Sequence, residues 1–340
     1  MLKQIIALFS IVLMLSYGSA QAFTFKIATL STDGSVWMEK MRAGAKEISD
    51  KTNKRVKFKF YPGGVMGGDK NVLRKIRFGQ LQGAAMPNAG LAGIYPDIQL
   101  YNLIVKFQTM NEIDYVRKQM DGLLLKGLEK RGLIAFGFSE IGLAYTMSTI
   151  PVHNITELQQ LKSWVPDNNK IAIQAYKALS ISPIPLPLRD VLMGLQTGMI
   201  NSVAGTPTGA IALQWHTKIK YVTDSPLSYI YGVFFLDKKA FDKISKEDQE
   251  VVREVMAKNV SEVDKQSRQD NVNAIMALKK LGVEFISVED AAANELKEIM
   301  EAANQDIVKK SGLSKNLVEM LDKYLAEFRS RSTKIDVVGL

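Results

Sequence analysis

From residue 23 onward the hydrophobic positions switch repeatedly between a period of two and a period near 3.6. Residues 23–30, FTFKIATL, alternate and predict a strand closed by the turn STDGS. Over 37–51 the apolar positions Met38, Met41, Ala45 and Ile48 recur at three- and four-residue spacing, which keeps one face of a helix apolar. Residues 55–61 alternate again until Pro62-Gly63-Gly64 breaks the run. A second helix is expected over 67–82, with Asp69 placed to cap it, and 83–90 reads as a short buried strand and its loop. This β-α-β-α-β start implies a mainly parallel sheet with helices on both faces.

The pattern continues with a helix over about 112–130, extended segments over 133–141 and 142–149, and a turn and short helix over 150–163 capped by Asn154 or Thr156. A helix over 167–180, an extended 181–187, a helix over 188–198 stopped by Gly198, a strand and loop over 199–207 and a helix over 208–218 form a second β/α set. Residues 221–244 are largely extended. Helical period then persists across 245–282, with Ser245 as N-cap, Asp248 three residues on, and Gly282 as the stop. At about 1.5 Å per residue this helix is roughly 50 Å long, more than one small domain needs. It must span two lobes or break. Two further helices, about 289–311 and 314–330, close the chain. No Pro/Gly linker separates the two β/α sets, so the chain is expected to cross between two lobes several times.

The first 22 residues stand apart. Lys3 precedes an apolar stretch at 5–15, and the segment ends in Ala20-Gln21-Ala22, a small-x-small pattern. This predicts an export signal cleaved after Ala22, because the apolar run is too short to span a bilayer comfortably. The chain contains no Cys, so disulfides and a lipid-anchoring thiol are excluded, and a periplasmic location fits. The net charge of +9 comes from Lys and Arg dispersed among acids, as in KISKEDQEVVREVMAKN. Solvated helix faces explain that distribution better than a nucleic-acid surface does.

Three stretches resemble one family in order. YPGGVMGGDKNVLRKIRFGQLQGAAM (61–86), LQQLKSWVPDN (158–168) and ALSISPIPLPLRDVLMGLQTGMINSV (178–203) are similar to segments of the solute-binding proteins of TRAP (tripartite ATP-independent periplasmic) transporters, DctP type. The resemblance covers nearly the whole chain after the leader. It implies an α/β, two-lobe periplasmic-binding-protein architecture: two mainly parallel sheets flanked by helices, hinge strands, and a long helix spanning both lobes. Lobe 1 and the hinge would comprise 23–140 plus about 232–282, lobe 2 would comprise 141–231, and helices in 283–340 would pack across the lobes. It also implies binding of a small organic solute in the interlobe cleft, delivery to TRAP membrane permease subunits, and a monomer with no cofactor. A receptor presenting its ligand to a sensor protein, or a periplasmic enzyme on the same scaffold, are the alternatives.

Ligands in α/β lobes meet the loops at the carboxyl ends of strands, which singles out a small set of residues. Foremost is Trp164, which stands where the resemblance implies an arginine that pairs with a substrate carboxylate. A Trp offers an apolar ring and one N–H but no charge, so carboxylate recognition is in question. Asn88, Ser139, Glu140, Tyr145 and Thr206 are the polar candidates at strand ends and lobe crossings. Trp37 and Gln214 lie on expected helices, and Arg189 is the nearest local replacement for the missing cation. Catalytic groupings are sparse: the two histidines, His153 and His216, have no ligand-spaced partners, and no nucleophile elbow or phosphate loop occurs.

Overall fold

The computed structural model describes residues 22–167 and 169–338. The expected leader, 1–21 with its cleavage signal, lies outside them. Strand β1 (Phe23–Thr29) pairs in parallel with β2 (Val56–Tyr61) on one side and with β3 (Gly83–Pro87) on the other. Helix α1 (Val36–Lys51) starts where Ser35 Oγ accepts a hydrogen bond from the Met38 amide at 3.3 Å. It buries Met38, Met41, Gly44 and Ile48. Helix α2 (Asp69–Arg77) differs from the expectation at its start. Gly68 is the N-cap and makes no side-chain cap bond, so Asp69 occupies the first helical position and its carboxylate is not used as a cap.

Helix α3 (Met110–Glu129) leads into the 16-residue strand β4 (Leu133–Ser148). The next segment holds α4 (Ile155–Gln159), capped by Asn154, then β5 (Trp164–Pro166), α5 (Lys170–Ala178) and β6 (Ile184–Leu186). It continues through α6 (Val191–Thr197), β7 (Ser202–Gly205) and α7 (Pro207–Ala212). The 17-residue strand β8 (Tyr221–Asp237) then returns along β4. The order β2-β1-β3-β8-β4-β7 forms a single mixed sheet, and β5 and β6 pair separately. The two sheets expected from the sequence are thus fused through hydrogen bonds, because β4 and β8 are long enough to run through both β/α sets. At about 3.3 Å per residue each strand covers roughly 50 Å.

Helix α8 (Lys246–Lys280) has almost the same length and lies along β4. Its 35 residues bury two separate apolar groups. Val252, Val255, Met256, Val260 and Val263 join Phe25, Ile27, Met41 and Ile48 in one core cluster. Leu278 joins Met147, Trp164, Val203 and Trp215 in another. Close approach to the strand requires glycines: a Cβ on Gly137 would sit 3.1 Å from Val260 Cγ1, and one on Gly142 would sit 2.6 Å from Asn271 Nδ2. Both glycines have positive φ and flank shifts in the β4–β8 register, where the long strand bends. Strand β9 (Glu284–Ile286) adds to β8. Helix α9 (Asp290–Ser311) then packs on α5, and α10 (Lys315–Val338) packs on α3.

Candidate functional site

A cavity of about 190 Å³ lies between the two β/α sets. One wall is the segment after β3, with Asn88 and Gly90. The floor is the crossing pair β4–β8, with Ile141, Ala144, Leu227 and Ile230. The far wall holds Trp164, Tyr176, Thr206 and Trp215 from β5, α5, the β7–α7 turn and the segment after α7. These loops follow the carboxyl ends of β3, β5 and β7, where α/β lobes bind ligands. The lining is predominantly aliphatic and aromatic.

Trp164 is the central wall residue. Its ring is buried (3% exposed) and meets Trp215 edge-to-face at 5.5 Å. Its indole N–H donates to the Leu186 carbonyl at 2.9 Å, which leaves only ring surface facing the cavity. Trp215 fits because Gly205 has no side chain: a Cβ there would fall 2.7 Å from Trp215 Cζ3.

The opposite wall is polar at two points. Asn88 is fully buried, and its Nδ2 donates to the Ile98 carbonyl at 2.8 Å and to Asn102 Oδ1. Its own Oδ1 has no partner. Asp69 is the only charged side chain lining the cavity and has no hydrogen-bonding or ionic partner among the described residues. Burial, with added repulsion from Asp167, pushes its carboxyl up to about 6. Gly90 makes room for it, since a Cβ there would lie 2.7 Å from Asp69 Oδ2. On the far wall the Tyr176 hydroxyl is buried beside Ser163, and burial pushes it up to about 12. Two contacts join the walls: Lys70 Nζ to Asp167 Oδ2 at 2.6 Å, and Gln99 Nε2 to Asn169 Oδ1 at 3.0 Å.

Of the residues singled out from sequence, Trp164, Asn88 and Thr206 line this cavity. The Thr206 hydroxyl also caps α7 by accepting from the Gly209 amide at 3.1 Å. The others lie elsewhere. Glu140 and Ser139 sit on β4 at the crossing. Glu140 Oε2 accepts from Arg268 of α8 at 2.8 Å, and Arg268 also forks onto Asp114. Beside it, Arg117 donates to Asp264 at 2.9 Å, Asp121 at 3.1 Å and the Phe138 carbonyl at 3.0 Å. Burial raises the Glu140 pKa, and Arg268 counteracts part of that rise. Tyr145 packs beside the Trp164 cluster without lining the cavity. Trp37 packs edge-on against Phe60 and Phe234 at 6.3 Å each. Gln214 is exposed in a left-handed turn, and Arg189 is exposed beside Asp190.

Sequence reasoning missed Asp69, Tyr176 and Trp215 as cavity groups. For Asp69 a signal existed, since Gly67-Gly68 before it can begin a helix without a side-chain cap. Among the described residues, no group of three His, Cys, Asp or Glu could hold a metal ion, and no helix is long and apolar enough to cross a membrane.

Comparison with known proteins adds to this geometry. The model of the bacterial extracellular solute-binding protein family 7, DctP, matches residues 27–311. The 2,3-diketo-L-gulonate-binding periplasmic protein YiaO of Escherichia coli is 24% identical over 300 residues, covering 83% of this chain and 87% of the relative. The sugar acid binding protein DctPAm of Advenella mimigardefordensis, in complex with galactonate, superposes with a TM-score of 0.82 at 21% identity, covering 90% and 99% of the two chains. A TRAP periplasmic solute binding protein from Desulfovibrio salexigens with bound orotic acid superposes at 0.80 and 20% identity, covering 91% and 99%.

Proposed function

We propose, from the premise that this chain belongs to the DctP family of bacterial extracellular solute-binding proteins, that its cavity is the cleft of a TRAP-type receptor that closes on a small organic solute. The protein is a solute receptor and not an enzyme. Export with cleavage after Ala22 delivers it to the periplasm, where as a monomer it hands its solute to membrane permease subunits. The observation that carries this reading is the cavity itself, whose walls come from both β/α sets and whose floor is the pair of strands joining them. Trp164, Asn88 and Thr206 are the contacts retained from sequence, joined by Asp69, Tyr176 and Trp215.

Binding and closure are the whole mechanism. If only the closed form holds solute with both walls, apparent affinity is reduced by the fraction of molecules closed. The Lys70–Asp167 and Gln99–Asn169 contacts favour closure without a ligand.

A thermal-shift screen of small metabolites tests the reading. A solute at 100 times its dissociation constant adds about 2.7 kcal/mol of stability. At least one solute is expected to stabilise the exported chain and to bind more weakly to Trp164→Phe. Chemical conversion of that solute, or binding unaffected by both Trp164→Phe and Asn88→Ala, would overturn the cleft assignment.

A further inference from the structure

The cavity's polar groups also carry an inference about the class of solute. The orientation of Asn88 can be deduced link by link. The Tyr229 and Ile98 carbonyls can only accept hydrogen bonds. Asn102 therefore presents its amide nitrogen to Tyr229 O, at 2.8 Å, and its oxygen to Asn88. Asn88 must then present its nitrogen to both Asn102 Oδ1 and Ile98 O. Its oxygen is left as a buried acceptor with no donor. A buried acceptor of this kind costs free energy until something donates to it.

Asp69 adds the second acceptor, on the same wall and beside Gly90. Among the described residues, no Lys, Arg or His lines the cavity. Of the nearby charges, Asp167 on the facing wall repels the Asp69 carboxylate, and Lys70 is already paired with that same Asp167. The elements packed against Asp69 otherwise present neutral groups, among them Thr29, Met66, Met86, Asn88 and Gly90. A ligand carboxylate would therefore enter an apolar cavity that offers no cation and already holds one negative charge. Desolvation and like-charge repulsion both oppose that.

We propose that the cleft takes a small protonated amine with an apolar body, its ammonium donating to the Asp69 carboxylate and to Asn88 Oδ1 while the body packs on Trp164 and Trp215. The size agrees: an apolar cavity of about 150 Å³ holds benzene, and about 190 Å³ leaves room for a short side chain as well. The indole of Trp164 has spent its N–H on Leu186, so the far wall recognises shape and an apolar surface. This inference rests on the receptor reading above and narrows it to one chemical class.

The test uses the exported chain and matched probes that differ in one group: phenethylamine, 2-phenylethanol and 3-phenylpropionate, then isoamylamine, isoamyl alcohol and isovalerate. Calorimetric titration at pH 7.5 is expected to rank each amine first and each acid last. Asp69→Asn should weaken amine binding at least tenfold and alcohol binding by clearly less. Without any substitution, amine affinity should fall by about tenfold per pH unit once the pH is below about 6. The proposal is overturned if an acid binds best, if no amine binds, or if amine binding ignores both Asp69→Asn and pH. In those cases binding of an acid, including galactonate or orotate, that is lost in Trp164→Phe would leave the receptor reading intact. Failure of every probe and acid, with no small molecule released on denaturing the purified protein, would remove both.

Discussion

Glu140 at the crossing of the strands and Asp69 in the cavity are both carboxylates drawn out of water, and burial raises the pKa of each. Their surroundings differ. Glu140 meets Arg268, with Arg117, Asp121 and Asp264 packed alongside in a network of alternating charge. Asp69 meets no cation among the described residues, and the charged neighbour that acts on it across the cavity is another acid, Asp167. A buried carboxylate with a fixed partner holds elements in register, whereas a partly buried one without a partner is a standing free-energy cost that a ligand can relieve. Glu140 is buried and paired, whereas Asp69 is half-buried and has no cationic partner among the described residues.

The largest effect is expected from Arg117→Ala. It leaves Asp121 and Asp264 without their cation and removes the bond to the Phe138 carbonyl, so urea unfolding should show a loss of about 3–5 kcal/mol. A loss below 1 kcal/mol would mean that the crossing network is decorative. Next comes Trp164→Phe, which leaves the Leu186 carbonyl without its donor in a buried wall. About 1–3 kcal/mol of stability should go with it, together with weaker solute binding. Asp69→Asn should act in the opposite direction and stabilise the unliganded protein by about 1–2 kcal/mol at pH 7.5. The sign follows from the raised pKa. The folded chain holds the Asp69 proton more tightly, so this contribution is full below the ordinary value of 3.8 and is lost as pH rises through about 6. Thermal melts of the two proteins should therefore converge near pH 4 and separate above pH 6. Smallest is Lys70→Ala. The Lys70–Asp167 pair is largely exposed, so stability should change by less than about 1 kcal/mol. Small-angle scattering should nonetheless show a more open unliganded protein.

Much of the fold could be read from the sequence where local chemistry agrees with the final structure. Helix α8 was delimited by Ser245 and Gly282, and both ends match the structure to within two residues. The fusion of the sheet was hidden, because Gly137 and Gly142 resemble breaks in a strand that in fact continues through them with positive φ. At the site, Trp164 could be found through the resemblance, which implies an arginine at that position. Asp69 was masked by its own context, since an acid at a helix start suggests a cap. Asn88 was a candidate by type, but its free oxygen depends on Ile98, Asn102 and Tyr229, which only the fold brings together. Glu140 illustrates the converse: a polar residue at a lobe crossing faced α8 rather than the cavity.

Helix α8 has one further consequence. Its first apolar group completes one core and its last completes another, and the polar stretch between them carries Asp264, Arg268 and Asn271 to β4 and its surroundings. Neither half of the molecule owns this helix, so neither is an interchangeable module. A hybrid that combined halves of two such receptors would inherit a helix matched to only one of its two cores. A change of solute preference that keeps both cores intact is confined to the cavity walls, where Trp164 stands.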